Sequence, residues 1–447
     1  MPPSSSSAGV IYWFRNDLRL HDQPALQSAI ELAQKLQTWL LPVYIHDDAQ
    51  DDQTPWGFAR TSPQRKAWTH MAVHDLAQQL SARQSQLFQV KGNPVEILKA
   101  LSHHFQETCI VCEDIAAPYE QAHIQQLKDA KLQVQTVWQS TLVSPADLPF
   151  DVRKVPDQFT TFRQQLERPA ILVQAPLPAV SGMPSLPDLS ALQTPLKAHI
   201  EAANLSAPLE PNIDSRSAFP WGSVGFHGGE SSALAHLAHY CNSRLPSTYK
   251  LTRNGLMGVD YSTKWSPWLA TGALSPRQAW AAVKAYEALH GANDSTYWIG
   301  FELLWRDHFR WLHLKHGHKL YRRQGLCTAP QMNKAHSPEN FKAWCTATTG
   351  HAFIDAGMRE LITTSYLSNR MRQNLASYLI NDLNCDWRAG AAWFETHLID
   401  FDVYSNQGNW LYLSGRGTDP RGGRRFNPDK QAKDYDPDGS YQKLWCH

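Results

Sequence analysis

Residues 366–412 read YLSNRMRQNLASYLINDLNCDWRAGAAWFETHLIDFDVYSNQGNWLY, and this stretch decides how the second half of the chain folds. Met371, Leu375, Tyr378 and Leu379 recur at helical spacing as an apolar stripe. Asn369, Arg372 and Gln373 fall three and four apart and share a polar face. Trp387, Ala391, Phe394 and Leu398 form a second buried stripe. A loop then carries Asp400 and Asp402, followed by Asn406, Gly408 and Trp410. Carboxylates, an arginine, amides and a tryptophan gathered this closely suit a pocket for a flat, nitrogen-rich ring. On spacing alone, a salt-bridged helical hairpin is the equal alternative. From about Phe219 onward helical periodicity dominates, so residues 216–447 read as one all-α unit.

Ahead of it, residues 10–138 alternate short apolar runs with helical segments. The expected strands are 10–14, 38–45, 87–90, 109–112 and 132–137, and the intervening helices begin near Pro24, Pro63, Pro94 and Pro118. That alternation predicts a doubly wound parallel five-stranded sheet with helices on both faces, which holds ligands beyond the carboxyl ends of its strands. No Gly-x-Gly-x-x-Gly follows the first strand, so a dinucleotide fingerprint is unsupported. Residues 139–215, rich in Pro, Ser, Ala and Leu, read as a long surface connector, and residues 1–9 as a disordered start.

A chain of 447 residues can bury two or three cores, and its net charge of +1 does not announce nucleic acid. Residues 1–150 hold 11 Lys and Arg against 15 Asp and Glu, which leaves a modest positive excess for the rest. The 17 Trp are many, and mean either extra core or stacking surfaces and redox-active rings. Seven Cys without regular spacing fit a reducing compartment, and CIVC at 109–112 reads as a buried strand, not a redox pair. His313 and His316, or His236 and His239, read as surface or packing residues, so no metal is expected. MPPSSSSAG lacks the features of a secretion signal and no apolar run reaches membrane-spanning length. The expectation is a soluble, cytoplasmic monomer.

Two further stretches carry chemistry. In YSTKWS, residues 261–266, three hydroxyls and Lys264 precede a helix. Hydroxyls, helix-start N–H groups and an ammonium suit a diphosphate, although on its own the stretch reads more readily as an ordinary helix cap. In residues 298–317, Glu302, Trp305, Arg306 and Phe309 line one helical face, too polar for plain core; an amphipathic helix closed by a Glu302–Arg306 pair is the alternative.

The motifs N-R-x-R, D-W-R-x-G and D-x-D-x-x-x-N-x-G-x-W, in that order, resemble the flavin cradle of the photolyase/cryptochrome family. WFRNDLRLHD at 13–22, otherwise a self-paired charged loop, is similar to the family's opening. YSTKWSPWLATGALSPR is similar to its diphosphate loop, and the tail FNPDKQAKDYDPDGSYQKLW resembles the cryptochrome DASH branch. The resemblance implies FAD, held by Tyr249, Ser262, Thr263, Lys264, Ser266, Arg306, Arg372, Asp400, Asp402 and Asn406. It implies a light-driven carbon–carbon lyase that repairs cyclobutane pyrimidine dimers, preferentially in single-stranded DNA, with RNA as a second single-stranded partner. Glu302, Trp305, Asn369, Gln373 and Tyr412 would meet the lesion. Gln373 and Tyr412 stand where conventional photolyases have Met and Trp, which softens the grip on a flipped-out dimer and favours unpaired substrates.

Trp410 and Trp387 match the inner and middle members of the family's electron chain. The outer member belongs near 334–336, where the chain has Lys, Ala and His, so Tyr321 or Trp344 become candidates. Glu120, in CEDIAAPYE, stands near where relatives bind a methenyltetrahydrofolate antenna, though the local match is poor. In the tail, RGGRR at 421–425 could reach phosphates at a pocket mouth. A blue-light receptor without repair activity is the alternative function.

Overall fold

The structure, a computed structural model, describes residues 9–205, 213–327 and 336–446. Most of the expected disordered start, part of the expected connector, and Lys334 and Ala335 of the expected outer electron site lie outside these.

Five parallel strands alternate with four helices: β1 (Gly9–Phe14), α1 (Pro24–Lys35), β2 (Leu40–Asp47), α2 (Pro63–Ser81), β3 (Phe88–Gly92), α3 (Pro94–Phe105), β4 (Thr108–Glu113), α4 (Pro118–Asp129) and β5 (Gln133–Val137). The sheet order is β3-β2-β1-β4-β5, so the winding reverses between β1 and β4 and opens a crevice at their carboxyl ends. All four helices start on proline because the first helical position needs no N–H partner and favours proline's fixed φ. Cys109 and Cys112 sit in β4 as free thiols, as an apolar strand requires.

Next come α5 (Phe159–Glu167) and α6 (Lys197–Leu205), followed by the helical half. It comprises α7 (Glu230–Asn242), α8 (Tyr249–Thr252), α9 (Ser266–Thr271), α10 (Pro276–His290), α11 (Asp294–His316), α12 (Pro338–Cys345), α13 (Ala352–Thr364), α14 (Asn369–Asn381), α15 (Trp387–His397), α16 (Val403–Leu413), α17 (Pro428–Tyr435) and α18 (Ser440–Trp445). Residues 139–205 do not simply run over the surface. Phe159, Phe162 and Leu166 bury in the helical core, while Leu192 and Leu196 cover the sheet, so this stretch contributes to both cores.

The charged loop after β1 is a clamp between the halves, and its main partners lie far away in sequence. Asp22, fully buried, pairs with Arg277 at 2.7 Å and accepts from Ser275. Arg19 donates to the Gly272 carbonyl at 2.8 Å, and the Leu20 and His21 N–H groups donate to Glu230 at 2.8 and 2.9 Å. Gly272 has φ +71, and a Cβ there would stand 2.0 Å from the Asn16 carbonyl oxygen, so the close approach admits only glycine. Among the described residues no helix is long and apolar enough to cross a membrane.

Candidate functional site

A cavity of about 520 Å³ opens in the helical half, between the 261–266 loop, α11, α14 and the segment 400–413. That size falls within the usual range for small-molecule sites. Tyr249, Ser262, Thr263, Lys264, Ser266, Glu302, Trp305, Arg306, Asn369, Arg372, Gln373, Asp400, Asp402 and Tyr412 all line it. An adjoining hollow of about 90 Å³ shares Asn369, Arg372, Gln373, Asp400 and Asp402, and adds Asn406 and Trp410. Trp387, like the electron-chain candidates Tyr321 and Trp344, lines neither cavity; it is buried in α15 with its indole N–H donating to the Arg323 carbonyl at 3.1 Å.

Local folding explains these positions. Ser368 caps α14 by accepting the Met371 N–H, so Asn369, Arg372 and Gln373 leave the first turn on one face. Asp402 caps α16 in the same way, accepting from Ser405, and this sets Asn406 one turn further on. Gly390 of α15 lies against the edge of the Trp410 ring, where a Cβ would approach to 2.2 Å, so only the glycine leaves room for that indole.

Arg372 and Asp400 pair at 2.8 Å. Burial works against the Arg372 charge, and Asp400 more than offsets it, leaving the guanidinium above its ordinary pKa. Ser266 donates to the same Asp400 oxygen at 2.7 Å, so its hydroxyl is already taken. The other Asp400 oxygen, Oδ1, is buried without a partner. Asp402 takes a two-pronged bond from Arg310 at 3.0 and 3.1 Å; burial would raise its pKa, but Arg310 and Arg306 hold it below the usual carboxylate range. Asn406 donates from Nδ2 to the Ala391 carbonyl at 3.0 Å.

Lys264 is the least ordinary residue. Its backbone is left-handed at φ 58, its side chain is 2 % exposed, and its ammonium lies 3.2 Å from the centre of the Tyr261 ring. No hydrogen bond reaches that ammonium, and burial pushes its pKa well below the usual lysine value. A desolvated cation left unpartnered in a cavity wall is poised for an anion.

In the same cavity wall, Glu302 pairs with Arg253, not with Arg306. Burial raises the Glu302 pKa and Arg253 opposes the rise. Arg306 instead donates to the Ser140 and Leu269 carbonyls, tying the cavity wall to residues after β5. One face of Trp305 is stacked on Phe159, 3.8 Å between centres at 13°, and Tyr412 stands edge-on at 5.5 Å. Arg424 of the RGGRR cluster donates to the Tyr412 hydroxyl at 2.6 Å, which fixes that ring. Phe159, Arg253 and Arg310 escaped the sequence reading. Arg310 was within reach, since it continues the Glu302–Arg306 face by one more turn.

A second cavity, about 240 Å³, lies over the β1/β4 crevice and is closed by Glu395 and Phe401 of the helical half. Glu120 lines it, with one buried carboxylate oxygen unpartnered and a pKa raised by burial against Arg15 and Arg60. Arg60 pairs with Glu395 at 2.9 Å and lies over the Tyr119 ring at 4.5 Å.

Comparison with known proteins adds the following. Residues 10–181 match the family described as DNA photolyase, and residues 298–447 match the FAD binding domain of DNA photolyase. The chain is 41 % identical over 445 residues to Cryptochrome DASH of Gloeobacter violaceus, covering 98 % of this chain and 86 % of that one. The crystal structure of a Synechocystis cryptochrome superposes with a TM-score of 0.86 at 37 % identity, over 98 % of this chain and 89 % of that one. A class III photolyase from Agrobacterium tumefaciens superposes with a TM-score of 0.74 at 27 % identity, over 98 % of this chain and 86 % of that one.

Proposed function

This chain belongs to the photolyase/cryptochrome family, its relatives are of the cryptochrome DASH branch, and FAD is its cofactor; on that premise we propose that it is a light-driven lyase that splits cyclobutane pyrimidine dimers, preferentially in single-stranded DNA. The observation that carries this reading is the convergence of two residue sets on one cavity: Lys264, Arg372, Asp400 and Asp402 line it together with Glu302, Trp305, Asn369 and Gln373.

The first set fits FAD. The buried Lys264 ammonium lacks an anion, and the neighbouring Ser262 and Thr263 offer hydroxyls to the same diphosphate. Tyr249 lines the same cavity. Arg372, held charged by Asp400, stabilises negative charge on the ring, and Asp402 receives the ring's pyrimidine edge. Because Asn406 Nδ2 is committed to Ala391, its Oδ1 is the atom left to accept a proton-bearing ring nitrogen. When bound, reduced FAD supplies the light-driven electron that opens the dimer.

The second set fits two linked pyrimidines. Trp305, backed by Phe159 and therefore rigid, offers its remaining face for stacking, and Tyr412 offers an edge. Glu302, paired with Arg253, meets a pyrimidine imide, and Asn369 and Gln373 contact the carbonyls. Extracting bases from a duplex costs a few kcal/mol, which two aromatic contacts of this kind hardly offset, so an already unpaired dimer is preferred.

The test is a repair assay with FAD-loaded, reduced protein and dimer-bearing DNA, single-stranded and duplex, alongside a matching RNA. Illumination is expected to restore the pyrimidines in single-stranded DNA roughly tenfold faster than in duplex. If illuminated protein leaves single-stranded dimers intact, the repair reading fails and a photoreceptor role takes its place.

A further inference from the structure

Trp410, Trp387 and Trp344 are 2, 4 and 0 % exposed, so no electron from solvent reaches them without an intermediate stop. One half-buried indole stands where both of their outward paths meet, and it comes from the sheet half. We propose that Trp56 is the surface terminus through which electrons enter the buried tryptophans, in place of an indole at 334–336. The inference rests on the reading that FAD fills the helical cavity.

Two lines of contact converge on Trp56. Beside Trp387, the Asp386 N–H donates to His336 Nδ1 at 3.2 Å, and the His336 ring lies 5.1 Å from Trp56. From Trp410, the rings run to Phe394 at 5.1 Å, Trp344 at 6.0 Å and 20°, Phe341 at 6.1 Å and 22°, and Trp56 at 6.4 Å. All of these separations fall in the contact range of packed aromatic pairs. Phenylalanine is too hard to oxidise to hold the hole, so Phe394 and Phe341 act as bridges while the indoles are the stops.

Trp56 is held in place. Its loop is a tight turn closed by Thr54 N–H on the Phe58 carbonyl at 2.7 Å and Arg60 N–H on the Asp52 carbonyl at 2.9 Å. Phe58 anchors that turn edge-on against Trp393 at 5.0 Å. Docking is thus served by Phe58, whereas Trp56 keeps part of its indole in solvent.

The electron count closes. One electron leaves the Trp410 indole for the photoexcited oxidised ring. The hole moves outward to Trp387 or Trp344 and then to Trp56. A thiol in solution returns one electron to Trp56 and, losing its proton, becomes a thiyl radical.

The test follows thiol-dependent photoreduction of FAD-loaded protein by absorbance, together with mass-spectrometric mapping of tryptophan oxidation after illumination without thiol. Trp56→Phe should slow photoreduction roughly tenfold, Trp56→Tyr should restore part of the rate, and Tyr321→Phe should leave it unchanged. Oxidation in the wild type should map to Trp56, and thermal unfolding of both Trp56 variants should match it. If Trp56→Phe reduces at the wild-type rate, or oxidation maps to another indole, the terminus lies elsewhere and the proposal is overturned. If the wild type takes up no FAD, the cavity reading itself fails and this inference falls with it.

Discussion

The two cavities are built from similar side chains and differ in what those side chains have left to give. Over the sheet, the cations are already spent on other protein groups. Arg60 is on Glu395, Lys66 and Lys91 are both on Asp51, and Arg65 donates to the Glu395 carbonyl at 2.7 Å. What remains there is one oxygen of Glu120. Around the cavity of the helical half, the Lys264 ammonium, the Tyr261 hydroxyl, the Trp265 indole N–H, Arg370 Nε and Asp400 Oδ1 are buried and unpartnered. Buried polar groups are ordinarily satisfied, so five orphans around one hollow mark the place where a ligand completes the structure. A cavity whose buried polar groups are nearly all satisfied holds the molecule together; a cavity with several left unsatisfied holds something else.

This contrast can be broken in several ways. The largest effect is expected from Asp400→Ala, which strands the Arg372 charge; denaturant unfolding of the FAD-free protein should show a loss of about 3 kcal/mol. Lys264→Met should act in the opposite direction. It removes an unpaired buried cation and keeps the volume, so the FAD-free protein should gain about 1–2 kcal/mol by the same measurement. A loss instead would mean that Lys264 has a structural partner. Arg60→Ala, in the sheet cavity, should cost at most about 1 kcal/mol, as a partly exposed pair does, and leave FAD content unchanged.

A further effect concerns pH. Glu360, which accepts from Tyr441 near the helical cavity, is pushed by burial from an ordinary 4.5 up to about 8. The folded chain therefore keeps a proton that the unfolded chain releases near 4.5. That contribution is full below about 4.5 and is lost as pH rises through about 8. Stability of the wild type should fall between these limits more steeply than that of Glu360→Gln, as melting temperature against pH would show.

Much of this architecture was legible in the chain because local rules govern it. Short apolar runs gave five strands, and proline at the first helical position marked four helix starts. What stayed hidden depends on partners far apart in sequence. Asp22 of the opening loop looked as if it paired locally, yet its carboxylate goes to Arg277 and Ser275. Phe159 lies in a stretch rich in Pro and Ser, and nothing in its neighbours announces that it stacks on Trp305. Arg253 sits beside a recognisable tyrosine, but its contact with Glu302 depends on how α8 packs against α11. The lining residues of the helical cavity were readable as a set because resemblance supplied them; the unpartnered state of Lys264 was not, since it depends on a left-handed backbone that sequence does not display.

The central claim is that the groups left unpaired in the helical half are what retain FAD. Calorimetric titration of FAD into the cofactor-free protein tests it most directly. The account predicts one site per chain, with affinity reduced roughly 30-fold or more in Lys264→Met and unchanged in Arg60→Ala. Equal affinity in the wild type and Lys264→Met, or a loss confined to Arg60→Ala, would contradict it.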